Sequence, residues 1–515
     1  MNKFHSLAFF LIAVCLVFAY SYTLDTKLDV NGDNATYITL ARNLAAGHGY
    51  TRDTANGYIP VNHFPPGYPA ILSVFIRMGI DNLVFFKVLN AVFLFLSLCL
   101  LYLVFADCTR QRWLCASVAI LLCFSIYLLH FAGMAMSEMS YLFFVSLSVF
   151  SIWKYSQKDT RFYSSPWFWV AIVSAIASYY MRSVGIALML SVIIFLLFRR
   201  QWLASLSAAC SMGLMMLPWS LRNAHYGLHA RYLGTVMTVN PWRPEEGSID
   251  SVGGFFSKMM NNLDQTVVRG FPKVLFNVYS PDVNDAPATW WMIVLGLIVL
   301  VVVIWGAWNT GKLRFLMLPL LLGNIGLLAI WHGGNGVRYV APLTPFVAFF
   351  FYNGVMSAFR LFRKLQIMDD SRWGLLALLA AIPLLMPLDD MHKASAKPYP
   401  PALKQYFHMA TIADSRLSPR SVVCCRKPEL FGYQAPHLLT VKYLFDPSPE
   451  KVIRQMIDDK VDYVVLDVLG LSSQGLYLEK AMRAYPDLFL TSIILENPDT
   501  VLFRFDRQLA EAMFP

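Results

Sequence analysis

Two carboxylates and three arginines lie in short polar segments between long apolar runs of the sequence. The acids are Asp33 and Glu138, and the arginines are Arg182, Arg222 and Arg338. A carboxylate serves as a general base or a metal ligand, and a guanidinium group binds phosphate oxygens through paired hydrogen bonds. The set suits the binding of a phosphate group beside a general base or a metal ligand, provided that the fold brings these side chains together.

Each of these residues lies in a segment with its own local pattern. Asp33 opens a helical run that contains Tyr37 and that Gly47 ends, and its carboxylate is placed to cap that helix. His63 precedes Pro65-Pro66-Gly67-Tyr68-Pro69, which predicts a rigid turn. Tyr339 directly follows Arg338 and precedes two prolines. Tyr37, His63 and Tyr339 therefore lie in the same polar segments as Asp33 and Arg338.

The composition indicates a membrane protein. Of the 515 residues, 57% are hydrophobic and 14% are charged, whereas soluble domains have roughly 25% charged residues. The net charge of +10 comes from short basic clusters between apolar runs, which is typical of membrane topology, so we expect no nucleic-acid partner. Six of the eight cysteines lie in or beside apolar runs, and Cys424 and Cys425 are adjacent. No disulfide framework is implied.

Eleven apolar runs are predicted to cross the membrane, since about 20 apolar residues are needed per helix. They are 4–22, 82–106, 113–132, 139–155, 166–181, 183–198, 202–221, 289–308, 314–331, 339–359 and 373–388. The run 4–22 is interpreted as a retained helix because no convincing cleavage site follows it. The segment 66–79 is shorter and contains Arg77, so we expect a re-entrant or interfacial helix there.

The positive charges predict the orientation. If the N-terminus is cytoplasmic, the short outer loops contain little positive charge besides Arg182 and Arg338, and the loops on the cytoplasmic side contain thirteen basic residues: Arg110, Arg112, Lys154, Lys158, Arg161, Arg199, Arg200, Lys312, Arg314, Arg360, Arg363, Lys364 and Arg372. Positive charge is retained on the cytoplasmic side during insertion. We therefore expect residues 23–81, residues 222–288 and a tail, 389–515, to be extracytoplasmic. Residues 1–388 then form the transmembrane domain with the two outer loops.

The tail is predicted to be a small α/β domain. Its β-rich runs are 421–425, 438–443, 463–467, 491–495 and 501–505, and amphipathic stretches cover 449–460 and 477–485. Alternation of such runs with helical patterns is typical of α/β folds. The predicted fold class is thus an α-helical polytopic membrane protein with a C-terminal extracytoplasmic α/β domain.

With this topology the two acids and three arginines all lie at the outer face of the membrane. A single arginine there often reaches for lipid headgroups, but three arginines with two carboxylates at one level indicate a site. The long loop 222–288, with Trp242, Glu245, Glu246 and Asp264, is expected to cover that site, as long loops often do.

The order of the motifs resembles bacterial glycosyltransferases of the GT-C superfamily. The motifs are Asp-x-x-x-Tyr from Asp33, Leu-Ala-x-Gly-x-Gly-Tyr from Leu44, Pro-Pro-Gly-Tyr-Pro from Pro65, Ser137-Glu138, Arg-x-x-Gly from Arg182, Pro-Trp-x-x-Arg-Asn from Pro218 and Arg-Tyr-x-x-Pro-x-x-Pro from Arg338. The nearest groups are the protein mannosyltransferases, the aminoarabinose transferases and the RgtA/B/C/D-like proteins. The resemblance covers about residues 1–360.

The resemblance implies an enzyme of the bacterial cytoplasmic (inner) membrane that moves a sugar from a polyprenyl-phosphate-linked donor to a lipid, glycan or protein acceptor. Asp33 would be the catalytic acid/base residue, and Glu138 a second catalytic acid. Arg182, Arg222 and Arg338, with Tyr37, His63 and Tyr339, would bind donor phosphate and substrate. Metal use is left open, and Asp33 and Glu138 are the candidate ligands if a divalent cation is used. Protein mannosyltransferases have two adjacent acids where this chain has Asp33 and Asn34.

Two other classes of function fit parts of the sequence. A lipid-linked saccharide transporter or flippase would not catalyse transfer, but such proteins tend to have ionisable groups at mid-membrane and related halves, which this sequence lacks. A non-catalytic assembly factor would depend on the tail and not on Asp33. It would have no need of the acids and arginines at the outer face.

Overall fold

The computed structural model describes residues 3–158, 161–228, 236–240, 243–278, 288–331, 336–361, 370–379 and 385–514. The first ten helices, in chain order, are α1 (Lys3–Thr23), α2 (Asp33–Ala45), α3 (Gly67–Arg77), α4 (Leu83–Thr109), α5 (Arg112–Leu122), α6 (Ile126–Ala132), α7 (Glu138–Ser156), α8 (Pro166–Met181), α9 (Ile186–Phe198) and α10 (Trp202–His225). Further helices before the tail are Val252–Leu263, Gly270–Leu275, Trp290–Trp308, Arg314–Ile330, Gly336–Val340, Thr344–Leu361 and Asp370–Leu379.

The described residues contain six helices that are long and apolar enough to cross a membrane, or seven if one bent pair counts as a single span. Two other apolar helices, α8 and α9, are shorter. The chain is thus a multi-pass membrane protein, but the predicted count of eleven spans is not confirmed. Residues 380–384, within the predicted span 373–388, lie outside the described residues.

The predicted span 113–132 is two helices, α5 and α6, which meet at an angle of 57°. An asparagine from a distant segment satisfies backbone groups at the bend. The Asn277 side chain donates to the Phe124 carbonyl oxygen at 3.1 Å and accepts from the Ile126 amide at 2.9 Å. These two bonds replace helical hydrogen bonds and stabilise the break.

Residues 23–81, which the sequence predicts to be extracytoplasmic and which are called the first outer segment below, pack onto one end of the helix bundle. This segment contains α2, α3 and a hairpin of β1 (Thr51–Thr54) and β2 (Gly57–Pro60). Tyr37 and Ile38 of α2 and Tyr68 of α3 are buried in the main core. The Lys87 ammonium at the start of α4 is buried and forms an ion pair of 2.7 Å with Asp25. That pair fixes the segment that leads into α2.

The tail contains a five-stranded sheet, as the sequence predicts. Its strands are β3 (Val422–Cys424), β4 (Leu439–Val441), β5 (Tyr463–Leu466), β6 (Phe489–Leu495) and β7 (Thr500–Phe505), in the order β4-β3-β5-β7-β6. Strand β3 pairs in parallel with β4 and with β5. Strand β7 pairs antiparallel with β5 and with β6. The tail helices are Met386–Ala396, Pro401–Arg416, Pro428–Gln434, Pro449–Asp458, Glu479–Ala484 and Arg507–Met513. The predicted domain boundary after residue 388 lies inside the first of these helices.

The tail contacts the first outer segment directly. The Arg420 guanidinium pairs with Asp53 of the hairpin at 3.2 Å, and the Lys427 ammonium lies 3.4 Å from the Asn31 carbonyl oxygen. The Tyr399 hydroxyl donates to the Leu28 carbonyl oxygen at 2.9 Å. The conformation of the chain around Asp33 therefore depends on both the bundle and the tail.

Candidate functional site

Four of the predicted charged residues form one continuous chain of ion pairs. The Arg338 Nη1 lies 2.7 Å from Asp33 Oδ2, and its Nε lies 2.9 Å from Glu138 Oε1. The same Glu138 oxygen accepts from Arg182 Nη1 at 2.6 Å. Residues that are far apart in the sequence thus meet at the junction of α2, α7, α8 and the helix Gly336–Val340.

The two acids of this cluster differ in their access to solvent. The Glu138 side chain is fully buried, and the Asp33 side chain is 24% exposed. A buried carboxylate is stable only if it is paired, and two guanidinium groups supply that pairing for Glu138. Asp33 is therefore the acid that a substrate is able to reach.

The position of Asp33 depends on the preceding glycine. Gly32 is the N-cap of α2 with a φ of +93°, and no side chain caps the helix. The expectation that Asp33 caps α2 is wrong, because Gly32 takes the cap position in a left-handed conformation that favours glycine. The Asp33 carboxylate is instead free to pair with Arg338.

Glu138 is held by contacts around the loop that precedes α7. The Asn90 side chain donates to the carbonyl oxygens of Met134 and Met136 and to the Tyr68 hydroxyl. Ser137 is in hydrogen-bond contact with Tyr37 across 3.0 Å. Sequence reasoning missed Asn90, although a single asparagine in the apolar run 82–106 is an available signal, because a buried amide needs partners.

Close backbone packing fixes Arg182 at the end of α8. A Cβ at Gly185 would lie 2.4 Å from the Tyr179 amide nitrogen, and one at Gly67 would lie 2.6 Å from the Tyr180 carbonyl oxygen. Only glycine allows such approaches. The Arg-x-x-Gly and Pro-Pro-Gly motifs therefore have a structural reason: they let two turns close around the C-terminus of α8.

The three predicted hydrogen-bonding residues lie near the cluster in different environments. Burial raises the pKa of Tyr37, so its hydroxyl stays neutral. Its ring lies 4.6 Å from that of Phe64, against which the exposed His63 packs at 4.5 Å. The Tyr339 ring lies 5.7 Å from the Arg182 guanidinium carbon, and its hydroxyl accepts from Trp331 Nε1 at 3.1 Å.

Arg222 makes a different set of contacts from the other two arginines. Its guanidinium donates to the Val61 carbonyl oxygen at 2.9 Å and to the Tyr50 carbonyl oxygen at 2.6 Å. It also lies 4.8 Å from the Trp219 ring centroid. These contacts connect α10 to the first outer segment. Arg222 forms no ion pair with Asp33 or Glu138, whose described ion-pair partners are Arg338 and Arg182. Its predicted part in phosphate binding stays a prediction.

The predicted covering loop has one described contact with the tail. Glu245 accepts from the Tyr477 hydroxyl of the tail at 2.9 Å. Within the loop, Asp264 forms an ion pair of 2.5 Å with Arg269. Trp242 lies outside the described residues. The covering role of this loop stays a prediction.

The two acids do not fit a shared divalent cation in this arrangement. The Arg338 guanidinium bridges Asp33 and Glu138 and would repel a metal ion between them. In the described part of the chain, no group of three or more His, Cys, Asp or Glu side chains is placed to hold a metal ion. The positive charge at this site is supplied by arginine.

Part of the chain matches the model of a known protein family. The model of the dolichyl-phosphate-mannose-protein mannosyltransferase family matches residues 54–233. This match is about a third of the chain; it includes Glu138 and Arg182 but not Asp33 or Arg338. No curated protein sequence matches the chain.

Solved structures extend the similarity of fold to nearly the whole chain. ArnT from Cupriavidus metallidurans, solved with bound undecaprenyl phosphate, has 11% sequence identity and a TM-score of 0.57 over 96% of this chain and 97% of its own. The Archaeoglobus fulgidus oligosaccharyltransferase, in complex with zinc and sulfate, has 12% identity and a TM-score of 0.57, covering 96% of this chain and 72% of that one. The mycobacterial arabinofuranosyltransferase AftD has 11% identity and a TM-score of 0.51, covering 98% and 40%. The solved structures show the fold, and together with the family match over residues 54–233 they confirm the predicted resemblance to GT-C glycosyltransferases.

Proposed function

We propose that this chain is a glycosyltransferase that uses a polyprenyl-phosphate-linked sugar at the extracytoplasmic face of a bacterial inner membrane. Its N-terminus is cytoplasmic, and the tail from residue 389 is an extracytoplasmic domain. The acceptor is a lipid, glycan or protein hydroxyl or amine. The observation that carries the proposal is the partly exposed Asp33 carboxylate beside Arg338, which the buried Glu138 holds in place.

The reaction divides among the charged residues as follows. The acceptor nucleophile attacks the anomeric carbon, and its proton passes to Asp33, a general base worth about 10²–10⁴-fold in rate. The bond between the anomeric carbon and the phosphate oxygen breaks, and polyprenyl phosphate leaves with the electron pair. Arg338 and Arg182 stabilise the negative charge that develops on the leaving phosphate. Glu138 touches neither reactant and is a positioning residue for both arginines.

Donor binding is coupled to activation of the base in this scheme. The Arg338 Nη1 is paired with Asp33, so a donor phosphate that binds this guanidinium competes with the carboxylate for it. Glu138 stays paired with Arg338 Nε while the phosphate replaces Asp33 at Nη1. Asp33 is released toward the acceptor when the phosphate is in place.

Similarity of fold supports the choice of donor. The ArnT structure contains undecaprenyl phosphate, a carrier of the chemical class that the arginines here would bind. The oligosaccharyltransferase structure contains zinc, but Arg338 fills the space between the acids of this chain, and no step of the proposed reaction uses a metal ion.

A reconstituted assay tests the proposal. Purified protein in proteoliposomes is given polyprenyl phosphate that carries a radiolabelled sugar, together with bacterial envelope lipids and glycans. We expect label to pass to an acceptor and free polyprenyl phosphate to accumulate. Movement of the labelled lipid across the bilayer without any product would refute the proposal and indicate a lipid-linked saccharide transporter instead.

A further inference from the structure

The helix Val252–Leu263 of the loop 222–288, hereafter the loop helix, has an apolar face that the protein covers only in part. Leu263 packs against the main core. Val252, Phe256 and Met260 are 75%, 58% and 64% exposed. Because residues four apart lie on one side of a helix, these three side chains form a continuous apolar stripe on the surface. Such an exposed stripe indicates a surface that binds an apolar partner.

An amphipathic helix of the tail shows the arrangement expected when the outer side of a helix faces water. The helix Pro449–Asp458 buries Val452 and Met456 in the core of the tail and exposes Lys451 and Arg454. Its apolar side chains are covered and its exposed positions are charged. The loop helix has the opposite arrangement, since its apolar stripe is left on the outside.

The polar side of the loop helix is fixed to the rest of the loop. Lys258 Nζ donates to the carbonyl oxygens of Val236 and Thr238 at 2.6 and 3.1 Å. Lys258 and Phe256 are two residues apart, so they lie on nearly opposite sides of the helix. The contacts of Lys258 therefore set the rotation of the helix and hold its apolar stripe outward.

The loop helix ends at the level of the candidate site. The Asn262 side chain donates to the Ala329 carbonyl oxygen at 2.9 Å and to the Trp331 carbonyl oxygen. These carbonyl groups lie at the end of the apolar helix Arg314–Ile330. The Trp331 indole in turn donates to the Tyr339 hydroxyl at 3.1 Å. The loop helix thus lies at the end of the bundle that holds the candidate site.

The same end of the bundle has the aromatic residues of a membrane surface. The residues that follow the loop helix pack on the apolar helix Trp290–Trp308, because a Cβ at Gly296 would lie 2.5 Å from the Val268 carbonyl oxygen. This span begins with Trp290 and Trp291, which are both exposed. Tryptophan is enriched where the hydrocarbon of a membrane meets water. The loop helix is therefore at the depth of the membrane surface.

We propose that the loop helix lies in the surface of the bilayer beside the candidate site, with its apolar stripe among the lipid chains. An amphipathic helix of this kind buries its apolar face at the boundary between headgroups and acyl chains. The loop 222–288 is then held by the membrane as well as by the tail, which it contacts through Glu245 and Tyr477. This inference goes beyond the proposed function, because it requires a membrane but no reaction.

Spin labels on the full-length protein in proteoliposomes test the proposal. The exposed Cys210 is replaced by alanine, since the other cysteines are buried or half-buried. A nitroxide is attached at Phe256→Cys and, in a separate protein, at Asn261→Cys, an exposed position about 140° further round the helix. Molecular oxygen concentrates in lipid, whereas a nickel chelate stays in water. We expect the ratio of oxygen to nickel collisions to be several times higher at position 256 than at position 261.

The other outcomes would overturn the proposal. An equal ratio at both positions, or a higher nickel collision rate at position 256, would show that the apolar stripe faces water. Low access of both reagents at position 256 would show that protein covers the stripe, and spin–spin broadening would then identify a second copy of the chain.

A second pair of labels guards against a variant that does not fold. Val252→Cys and Ser257→Cys are also five residues apart, and both positions are exposed, so they must give the same contrast. Cys210→Ala protein that is treated with the label provides the blank spectrum. The measurement needs no transfer of sugar, so failure of the lipid contact and failure of the proposed glycosyltransferase function are distinguished.

Discussion

Replacement of Asp33 by asparagine separates its proposed catalytic role from a structural role. Asparagine keeps the shape of the side chain and one oxygen for Arg338, but it cannot accept a proton from the acceptor nucleophile. The Asp33 side chain is 24% exposed, and its partner Arg338 keeps a second carboxylate, Glu138. The guanidinium is therefore not left without a counter-ion.

These contacts set the expected magnitudes. Loss of a general base lowers the rate by about 10²–10⁴-fold, which corresponds to roughly 3–5 kcal/mol in the barrier to transfer. Loss of a partly exposed ion pair costs only about 0–1 kcal/mol in the free energy of unfolding. We therefore expect Asp33→Asn to abolish most turnover while the thermal midpoint of the detergent-purified protein changes little.

The assay compares initial rates of sugar transfer at saturating donor, with unfolding followed on the same preparation. The matched control is Asp53→Asn, since Asp53 also pairs with one distant arginine and its side chain is 29% exposed. The control should keep its rate of transfer. A wild-type rate in Asp33→Asn, or a fall in rate that only mirrors a fall in thermal midpoint, would refute the assignment of Asp33 as the base.

Three other predictions concern positioning and stability. Glu138→Gln should destabilise the protein by about 3–5 kcal/mol, because it removes the buried carboxylate that pairs with Arg182 and leaves Arg338 with Asp33 alone; a thermal midpoint equal to that of the wild type would contradict this. Gly185→Ala should cost about 1–3 kcal/mol and reduce transfer, because its Cβ meets the Tyr179 amide at 2.4 Å; a Gly213→Ala variant, where a Cβ meets nothing within 4 Å, is the control in thermal unfolding. Burial raises the pKa of Asp467 from 3.8 to about 6, so the folded state binds the proton more tightly and stability falls as pH rises through that window, by about 3 kcal/mol in total. Asp467→Asn should flatten this part of the profile of thermal midpoint against pH, and an unchanged profile would count against the buried carboxyl as its source.

The convergence of Asp33, Glu138, Arg182 and Arg338 was predictable because topology sets the level of each residue. The alternation of basic loops predicts that all four lie at one face of the membrane, and five charged side chains at one face indicate a site. The tail sheet was predictable for a similar reason, since its five apolar β-rich runs have a period and length typical of strands.

Features that depend on three-dimensional packing were not predictable. The break between α5 and α6 requires the Asn277 side chain from more than 150 residues away, and hydropathy averaged over the run cannot reveal it. Asp33 had the right residue type for a cap, but the backbone conformation of Gly32 decided the cap position. Arg222 was grouped with the other arginines by its level in the membrane, whereas its direction toward the carbonyl groups of the first outer segment depends on how α10 ends.

The contact between Lys427 and Asn31 spans 396 positions of the sequence, and this separation has a consequence for biogenesis. The ribosome produces the segment around Asp33 before the tail that completes its surroundings. Until the tail has been synthesised and has folded, that segment lacks the contacts made by Tyr399, Arg420 and Lys427. Chains that are truncated before the tail should therefore insert into the membrane and still lack the proposed activity.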